Sequence, residues 1–205
     1  MLLFVDAQFT SPYAMSVYVA LTEKRMPFEL KTVDLNAGDN HDEEYAVRSL
    51  TQRVPTLVAD GFALSESSAI TEYLEEIQPH PTLYPADLKL RARARQVQAW
   101  IRSDLLPIRM ERSTNVIFYA PNPEPLSHAA QEAARKLFKA AESLLAHGGD
   151  YIFGTWTIAD VDLALMLNRL VLNGDDVPPA LRAYAGRQWE RESVQTWVAL
   201  QRPRL

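Results

Sequence analysis

The apolar residues in the first part of the chain form two continuous runs and, between them, one set at helical spacing. Residues 2–5 form a continuous apolar run, and residues 28–35 form a second run rich in β-forming residues. Between them Ala14, Val17 and Leu21 recur at helical spacing. Two short strands joined by one helix are typical of a parallel β-α-β unit, which we predict for the N-terminus.

A β-hairpin and a helix are predicted to complete this region. Residues 36–49 are polar and indicate a loop with one short helix. An Asp-Gly turn at positions 60 and 61 separates the β-rich run 56–59 from a return strand at 62–64. A helical pattern follows to Ile77, so the predicted order is β-α-β-α-β-β-α.

The rest of the chain has the apolar spacing of helices throughout. The predicted elements are a helix over 86–116 kinked at Pro107, a loop over 115–127, helices over 129–146 and 158–172, and one or two closing helices after Val177. Thr157 and Asp160 form a capping-box pattern, which we assign to structure and whose removal should cost about 1 kcal/mol, or more if the helix that follows is buried.

A domain boundary is predicted near Pro79 and Pro81, because two closely spaced prolines disfavour a continuous helix. The charge changes at the same place, since acidic residues predominate before it and basic residues slightly predominate after it. We therefore predict an α/β domain over 1–78, a linker over 79–87 and an all-helical domain over 88–205.

Composition and charge exclude several kinds of function. The 205 residues include no cysteine, which excludes disulfides, thiolate metal sites and a cysteine nucleophile and fits a reducing cytoplasm. The 4 histidines are scattered without metal-ligand spacing, so no metal is expected. A net charge of −5 argues against nucleic acid, and neither a membrane-spanning run nor a signal peptide is present.

Three short motifs carry candidate chemistry. Ser11 before Pro12 is a good helix N-cap, and a hydroxyl at a helix N-terminus can also hydrogen-bond an anion. Val54-Pro55 places a proline, for which a cis bond is accessible, at the entrance of a strand. Glu66-Ser67 opens a helix whose free N–H groups can hold an anion, although an ordinary cap explains the same pattern.

The order and spacing of these motifs, from the β-α-β unit to the capping box of the helical half, resemble the cytosolic glutathione S-transferase family over essentially the whole chain. Ser11-Pro12-Tyr13 resembles the start of the first helix in bacterial serine-type members. The resemblance implies a thioredoxin-like N-terminal domain followed by an all-helical domain. The cysteine signature of the beta, omega and zeta branches is absent, which argues against a thioltransferase and against a maleylacetoacetate isomerase.

The resemblance also implies roles for individual residues. Because the chain has no cysteine, the reacting sulfur must come from glutathione, and Ser11 is the predicted donor to its thiolate, with Thr10 and Tyr13 as rivals. The tripeptide would be held by the following residues: Val54 through its backbone, Glu66 at the ammonium group, Ser67 at the γ-glutamyl carboxylate and Arg53 at the acidic end.

The expected activity is glutathione transfer to a small electrophile or reduction of a hydroperoxide. Arg109, on the long helix, is a candidate for the electrophile pocket, although an ion pair with Glu111 or another acid explains it as well. The alternatives are a glutathione-dependent disulfide-bond reductase and a non-catalytic interaction protein with the same fold. The family resemblance further implies a cytoplasmic homodimer.

Overall fold

The computed structural model describes residues 1–204 and contains two compact units. Residues 1–83 and the segment from residue 192 onward form the first unit, and residues 84–191 form the second. In chain order the elements are β1 (Leu2–Asp6), α1 (Pro12–Glu23), β2 (Glu29–Val33), α2 (Glu43–Ala46), β3 (Thr56–Ala59), β4 (Phe62–Ser65), α3 (Ser67–Ile77), α4 (Leu88–Ser103), α5 (Leu106–Glu111), α6 (Asn115–Phe118), α7 (His128–Leu145), α8 (Ile158–Val171), α9 (Pro179–Trp189) and α10 (Glu192–Val198).

The first unit is built on a four-stranded mixed sheet with strand order β2-β1-β3-β4. β1 runs parallel to β2, and β3 is antiparallel to both β1 and β4. Asp60 and Gly61 form the hairpin turn with φ of 49° and 82°, the positive values that a type I′ turn needs at both central positions. The predicted β-α-β-α-β-β-α order and thioredoxin-like fold are therefore confirmed.

A buried ion pair joins the C-terminal ends of α1 and α3, which pack together. Lys24 Nζ lies 2.7 Å from Glu75 Oε2 and also donates to the carbonyls of Gln78 and Pro81. Glu75 Oε2 in turn accepts a hydrogen bond from the N–H of Leu83 at 3.0 Å. These contacts hold the segment that follows α3 against the first unit, because leaving either buried charge unpaired would be costly.

The C-terminal helix α10 belongs to the first unit, where it packs against α1. The fully buried Trp197 ring contacts the rings of Phe9 and Tyr18 at centroid distances of 5.8 and 5.2 Å. Arg202 donates to the carbonyl of Phe9 at 3.2 Å. The predicted division into domains over 1–78 and 88–205 with a linker over 79–87 stays a prediction. The contacts within the structure group the last helix with the first unit.

The second unit is helical, as predicted, and α8 is its most buried helix. Asp160, with 0% exposure, accepts hydrogen bonds from the N–H groups of Ile152 and Thr157 and from the hydroxyls of Thr157 and Tyr184, all at 2.8–2.9 Å. Burial raises the pKa of the Asp160 carboxyl, and these four hydrogen bonds oppose that rise. The capping box is thus the centre of a larger buried network.

The predicted single helix over 86–116 is wrong. The chain leaves helical geometry at Asp104, and Leu105 has φ of 60°, so α4 ends at Ser103 and α5 begins at Leu106. Pro107 lies in the first turn of α5, where its missing N–H is tolerated, and therefore does not kink a continuous helix. The predicted loop over 115–127 also contains the one-turn helix α6.

Within residues 1–204, no helix combines the length and the apolar character needed to span a bilayer.

Candidate functional site

The sheet register brings the three predicted motifs to one end of the first unit. Phe4 of β1 lies opposite Thr56 of β3, and Thr56 lies opposite Ser65 of β4. The loop after β1, the residues before β3 and the residues after β4 therefore leave the sheet at the same edge. These segments contain Ser11, Arg53-Val54 and Glu66-Ser67 respectively.

Ser11 is the N-cap of α1, and its hydroxyl has capacity left for a ligand. Its Oγ accepts a hydrogen bond from the N–H of Ala14 at 3.2 Å. That contact uses a lone pair of the oxygen and leaves the hydroxyl proton available for donation. Capping and donation to an anion are therefore compatible roles, and donation by Ser11 stays a prediction.

The rival donor Thr10 is arranged differently. Its Oγ1 donates to Asp6 Oδ2 at 3.0 Å, so its proton is already in use. Tyr13, the other rival, lies partly buried in the first turn of α1. The geometry favours Ser11 over Thr10 as the hydroxyl donor, and the assignment itself stays a prediction.

Asp6 is the residue of this site that sequence analysis did not identify. It ends β1, is only 3% exposed, and accepts hydrogen bonds from the N–H groups of both Thr10 and Ser11, at 2.6 and 3.0 Å. Phe9, between them, has φ of 50° and its N–H donates to the Asp6 carbonyl at 3.0 Å. An acid directly after a buried strand and before Thr-Ser-Pro was the available signal.

Val54 precedes a cis proline, the form that the sequence analysis identified as accessible at this position. Within residues 1–204, neither its N–H nor its C=O takes part in a hydrogen bond. An added peptide strand requires an N–H and a C=O that are not paired within the protein. The backbone beside it is well held, since the hydroxyls of Tyr45, Ser49 and Thr56 lie 2.7–3.2 Å from the carbonyl oxygen of Arg53.

Tyr45 supports this segment from the interior of the unit. Burial raises the pKa of its phenol above the usual value, so the hydroxyl stays protonated and can donate at neutral pH. Its ring packs against Phe4 at 5.5 Å in a small apolar cluster that includes Val54. The side chain of Arg53 is exposed, where it can reach a ligand.

Glu66 and Ser67 start α3 in an unusual backbone geometry. Glu66 has φ of 75° and ψ of 110°, a region that residues other than glycine rarely adopt. Such strain is concentrated at ligand-binding positions in proteins. Ser67 is 3% exposed at the first helical position, and no side chain among the described residues caps this end of α3. The N–H groups of the first turn can therefore bind an external anion.

Arg109 lies in α5, in the second unit, and is partly buried. The carboxylate of Glu111 accepts hydrogen bonds from the hydroxyl and N–H of Ser127 at 2.5 and 2.8 Å. The expected role of Arg109 in an electrophile pocket remains a prediction. Among the described residues, no group of three His, Asp or Glu side chains is arranged to hold a metal ion.

Sequence profiles of a known family match both parts of the chain. Residues 10–77 match the profile of the N-terminal domain of glutathione S-transferase, and residues 87–202 match that of its C-terminal domain. The chain belongs to the glutathione S-transferase family. Members of this family use glutathione as a co-substrate, and they include transferases and isomerases.

Individual relatives agree with this assignment. The crystal structure of a glutathione transferase homolog from Burkholderia BGR1, with bound glutathione, is 48% identical, with a TM-score of 0.80 over 96% of this chain and 95% of that one. A maleylacetoacetate isomerase from Dictyostelium discoideum is 33% identical over 73% of this chain and 69% of its own length. The holo structure of a maleyl pyruvate isomerase, a bacterial zeta-class glutathione S-transferase, is 27% identical, with a TM-score of 0.77 over 96% of both chains.

Proposed function

We propose that this glutathione S-transferase family member stabilises the thiolate of glutathione with the hydroxyl of Ser11, for attack on a small electrophile or hydroperoxide. The observation that carries the proposal is the different use of two neighbouring hydroxyls. The hydroxyl of Thr10 donates a hydrogen bond to Asp6. The hydroxyl oxygen of Ser11 accepts one from the N–H of Ala14, so the Ser11 hydroxyl can still donate to a ligand. The N-terminus of α1 adds a favourable dipole at the same point.

The rest of glutathione has a complementary surface. The free N–H and C=O of Val54 suit the backbone of an extended tripeptide. Ser67 and the uncapped N–H groups of α3 suit the γ-glutamyl carboxylate, and Glu66 suits the ammonium group. Arg53 is close enough in sequence to reach the acidic end of the peptide. A glutathione transferase homolog that is 48% identical binds glutathione in its crystal structure.

A binding experiment tests the glutathione site. Ser67→Ala and Glu66→Gln should each weaken glutathione binding about tenfold, because each removes one charge-assisted hydrogen bond worth roughly 1.5 kcal/mol. Titration calorimetry measures the change. Glu76→Gln, an exposed acid at the other end of α3, is the matched control and should bind like wild type. Unchanged affinity in both site variants would contradict the proposed site.

Isomerisation is the second candidate activity, because several relatives are maleylacetoacetate isomerases. The lack of cysteine in this chain argued against it. A cis–trans isomerisation, however, needs a nucleophile that adds to the double bond and leaves again, and the glutathione thiolate can serve. Turnover of maleylacetoacetate, a chlorodinitrobenzene, an organic hydroperoxide and a mixed disulfide, measured side by side, distinguishes isomerase, transferase, peroxidase and reductase. Activity with none of them would favour the non-catalytic alternative.

We further propose a cytoplasmic homodimer, as is usual in the family. The helices on either side of the domain boundary have opposite charge: besides the buried Glu75, α3 contains Glu72 and Glu76 without a basic residue, and α4 contains basic residues without an acidic one. Helices of opposite charge favour association between two copies of a chain. Light scattering at low salt should give twice the mass of the chain. A monomer at micromolar concentration would contradict the proposal.

A further inference from the structure

The Asp6 carboxylate holds the two residues that precede α1. It accepts three hydrogen bonds, from the N–H and hydroxyl of Thr10 at 2.6 and 3.0 Å and from the N–H of Ser11 at 3.0 Å. The residue is 3% exposed, so water does not compete strongly for these contacts. A single buried side chain therefore sets the backbone positions of both Thr10 and Ser11.

These contacts determine which proton of the loop remains for a ligand. Asp6 accepts hydrogen bonds from the N–H and the hydroxyl of Thr10 and from the N–H of Ser11. Pro12, the next residue, has no N–H. The hydroxyl proton of Ser11 is left, and its oxygen is oriented by the contact with the N–H of Ala14.

We propose that Asp6 is a positioning residue, which fixes the Ser11 hydroxyl where it can donate to the sulfur of glutathione. This inference rests on the proposed function of Ser11. Asp6 acts through the loop and does not itself touch the substrate. In its absence the loop would sample other conformations, and the hydroxyl would meet the sulfur in only some of them.

Because Asp6 is charged, the direction in which its replacement shifts the pKa of the bound thiol tests the proposal. A carboxylate close to a thiolate disfavours the thiolate, since like charges repel in a partly buried site. Removal of the charge alone would therefore lower the pKa of the bound thiol. Loss of positioning would raise it. The proposal requires that the loss of positioning be the larger effect.

The experiment measures the bound thiolate by its ultraviolet absorbance as a function of pH, together with kcat and KM, in Asp6→Asn, Ser11→Ala and the double variant. Asn has nearly the shape of Asp but can accept only one of the two backbone N–H groups without a clash of donors. We expect Asp6→Asn to raise the thiol pKa by about 0.5–1 unit and to lower kcat by about 3- to 10-fold, since one pKa unit corresponds to one decade in rate. KM for glutathione should change less than kcat.

The double variant shows whether Asp6 acts through Ser11. With alanine at position 11 there is no hydroxyl to position, so adding Asp6→Asn should not raise the thiol pKa further and should lower it slightly by removing the charge. An equal further rise in the Ser11→Ala background would overturn the proposal.

Glu111→Gln is the matched control. Its carboxylate also binds the N–H and hydroxyl of the serine that caps a helix, Ser127 before α7. Like Asp6→Asn, this variant should lower the melting temperature. Unlike Asp6→Asn, it should leave the thiol pKa unchanged. A purely structural role of Asp6 would give the same pattern as this control.

Hydrogen exchange provides a measurement that needs no variant. In wild type the amide protons of Thr10 and Ser11 should exchange slowly, because both are bound by a buried acceptor. Exchange at the rate of an unstructured peptide would overturn the proposal even if Asp6→Asn did not fold. If Ser11→Ala raises the thiol pKa and Asp6→Asn does not, the positioning role is wrong and the proposed function stands. If Ser11→Ala has no effect, the proposed function fails, and the positioning role fails with it.

Discussion

Replacement of Asp160 with alanine should lower the free energy of unfolding by about 3–5 kcal/mol, the range seen when one partner of a buried charged network is removed. Asp160 is fully buried and accepts four hydrogen bonds, from Ile152, Thr157 and Tyr184. Each donor left without an acceptor in the interior costs roughly 1–3 kcal/mol, although partial rearrangement offsets some of this. Urea unfolding followed by circular dichroism measures the change.

Asp87→Ala is the matched control for this prediction. Asp87 caps α4 in the same unit and accepts from the N–H groups of Lys89 and Leu90, both at 2.9 Å, but it is exposed. Its removal should cost only about 1 kcal/mol, since water can replace the carboxylate. Equal destabilisation by the two variants would show that burial of the network around Asp160 contributes nothing. Glutathione affinity should be little changed in either variant.

The structure predicts a larger cost for the loss of Asp160 than the sequence pattern does, because it shows contacts that the pattern does not. The capping box with Thr157 is local, three residues apart, and is visible in the sequence. The contacts with Ile152 and Tyr184 come from a preceding loop and from α9, and no sequence spacing reports them. The expected cost of about 1 kcal/mol counted the cap alone.

Elements that depend on local rules were predicted well. Apolar and β-rich runs located the four strands, helical spacing located the long helices, and the turn at Asp60-Gly61 follows from the conformations those two residues tolerate. The break at Leu105 was missed because buried Leu105 and Ile108 continue the apolar spacing of a helix through it. The spacing of apolar residues shows which face of a helix is buried, but it does not reveal a single residue with positive φ such as Leu105.

Tertiary placement was less accessible from the sequence. The last helix follows the helical unit in the chain, yet Trp197 packs on Phe9 and Tyr18 of the first unit. Asp6 was missed because its contacts with Thr10 and Ser11 form in an irregular loop, which has no period. The three motifs of the candidate site could be identified from the sequence. The strand register explains why they lie at the same end of the first unit.

Ser11→Ala should produce the largest loss of activity. A serine hydroxyl ionises far above neutral pH, so it cannot act as a base and can only donate a hydrogen bond to the sulfur as the thiol loses its proton. One charge-assisted bond of this kind is worth roughly 1.5–3 kcal/mol. The pKa of the bound thiol should therefore rise by about one to two units, and turnover at neutral pH should fall by about 10- to 100-fold.

The dependence on pH separates this role from others. Part of the lost rate should return at high pH, because the thiol then ionises without help from a hydroxyl. Glutathione affinity should change less than turnover, since the tripeptide is expected to be held mainly by residues 53–67. Ultraviolet titration of the bound thiolate, with kcat measured over the same pH range, provides both readings.

Ser127→Ala is the control that separates donation from capping. Ser127 caps α7 with the same contact that Ser11 makes, Oγ to the N–H three residues ahead at 3.2 Å. Each variant loses a cap worth roughly 1 kcal/mol, Ser127→Ala also loses the hydrogen bond from its hydroxyl to Glu111, and only Ser11→Ala should shift the thiol pKa. If Thr10→Ala or Tyr13→Phe shifted the titration while Ser11→Ala matched wild type, that residue would be the donor. If none of the three shifted it, the backbone and dipole of α1 would hold the thiolate alone, and Ser11 would serve only as a cap.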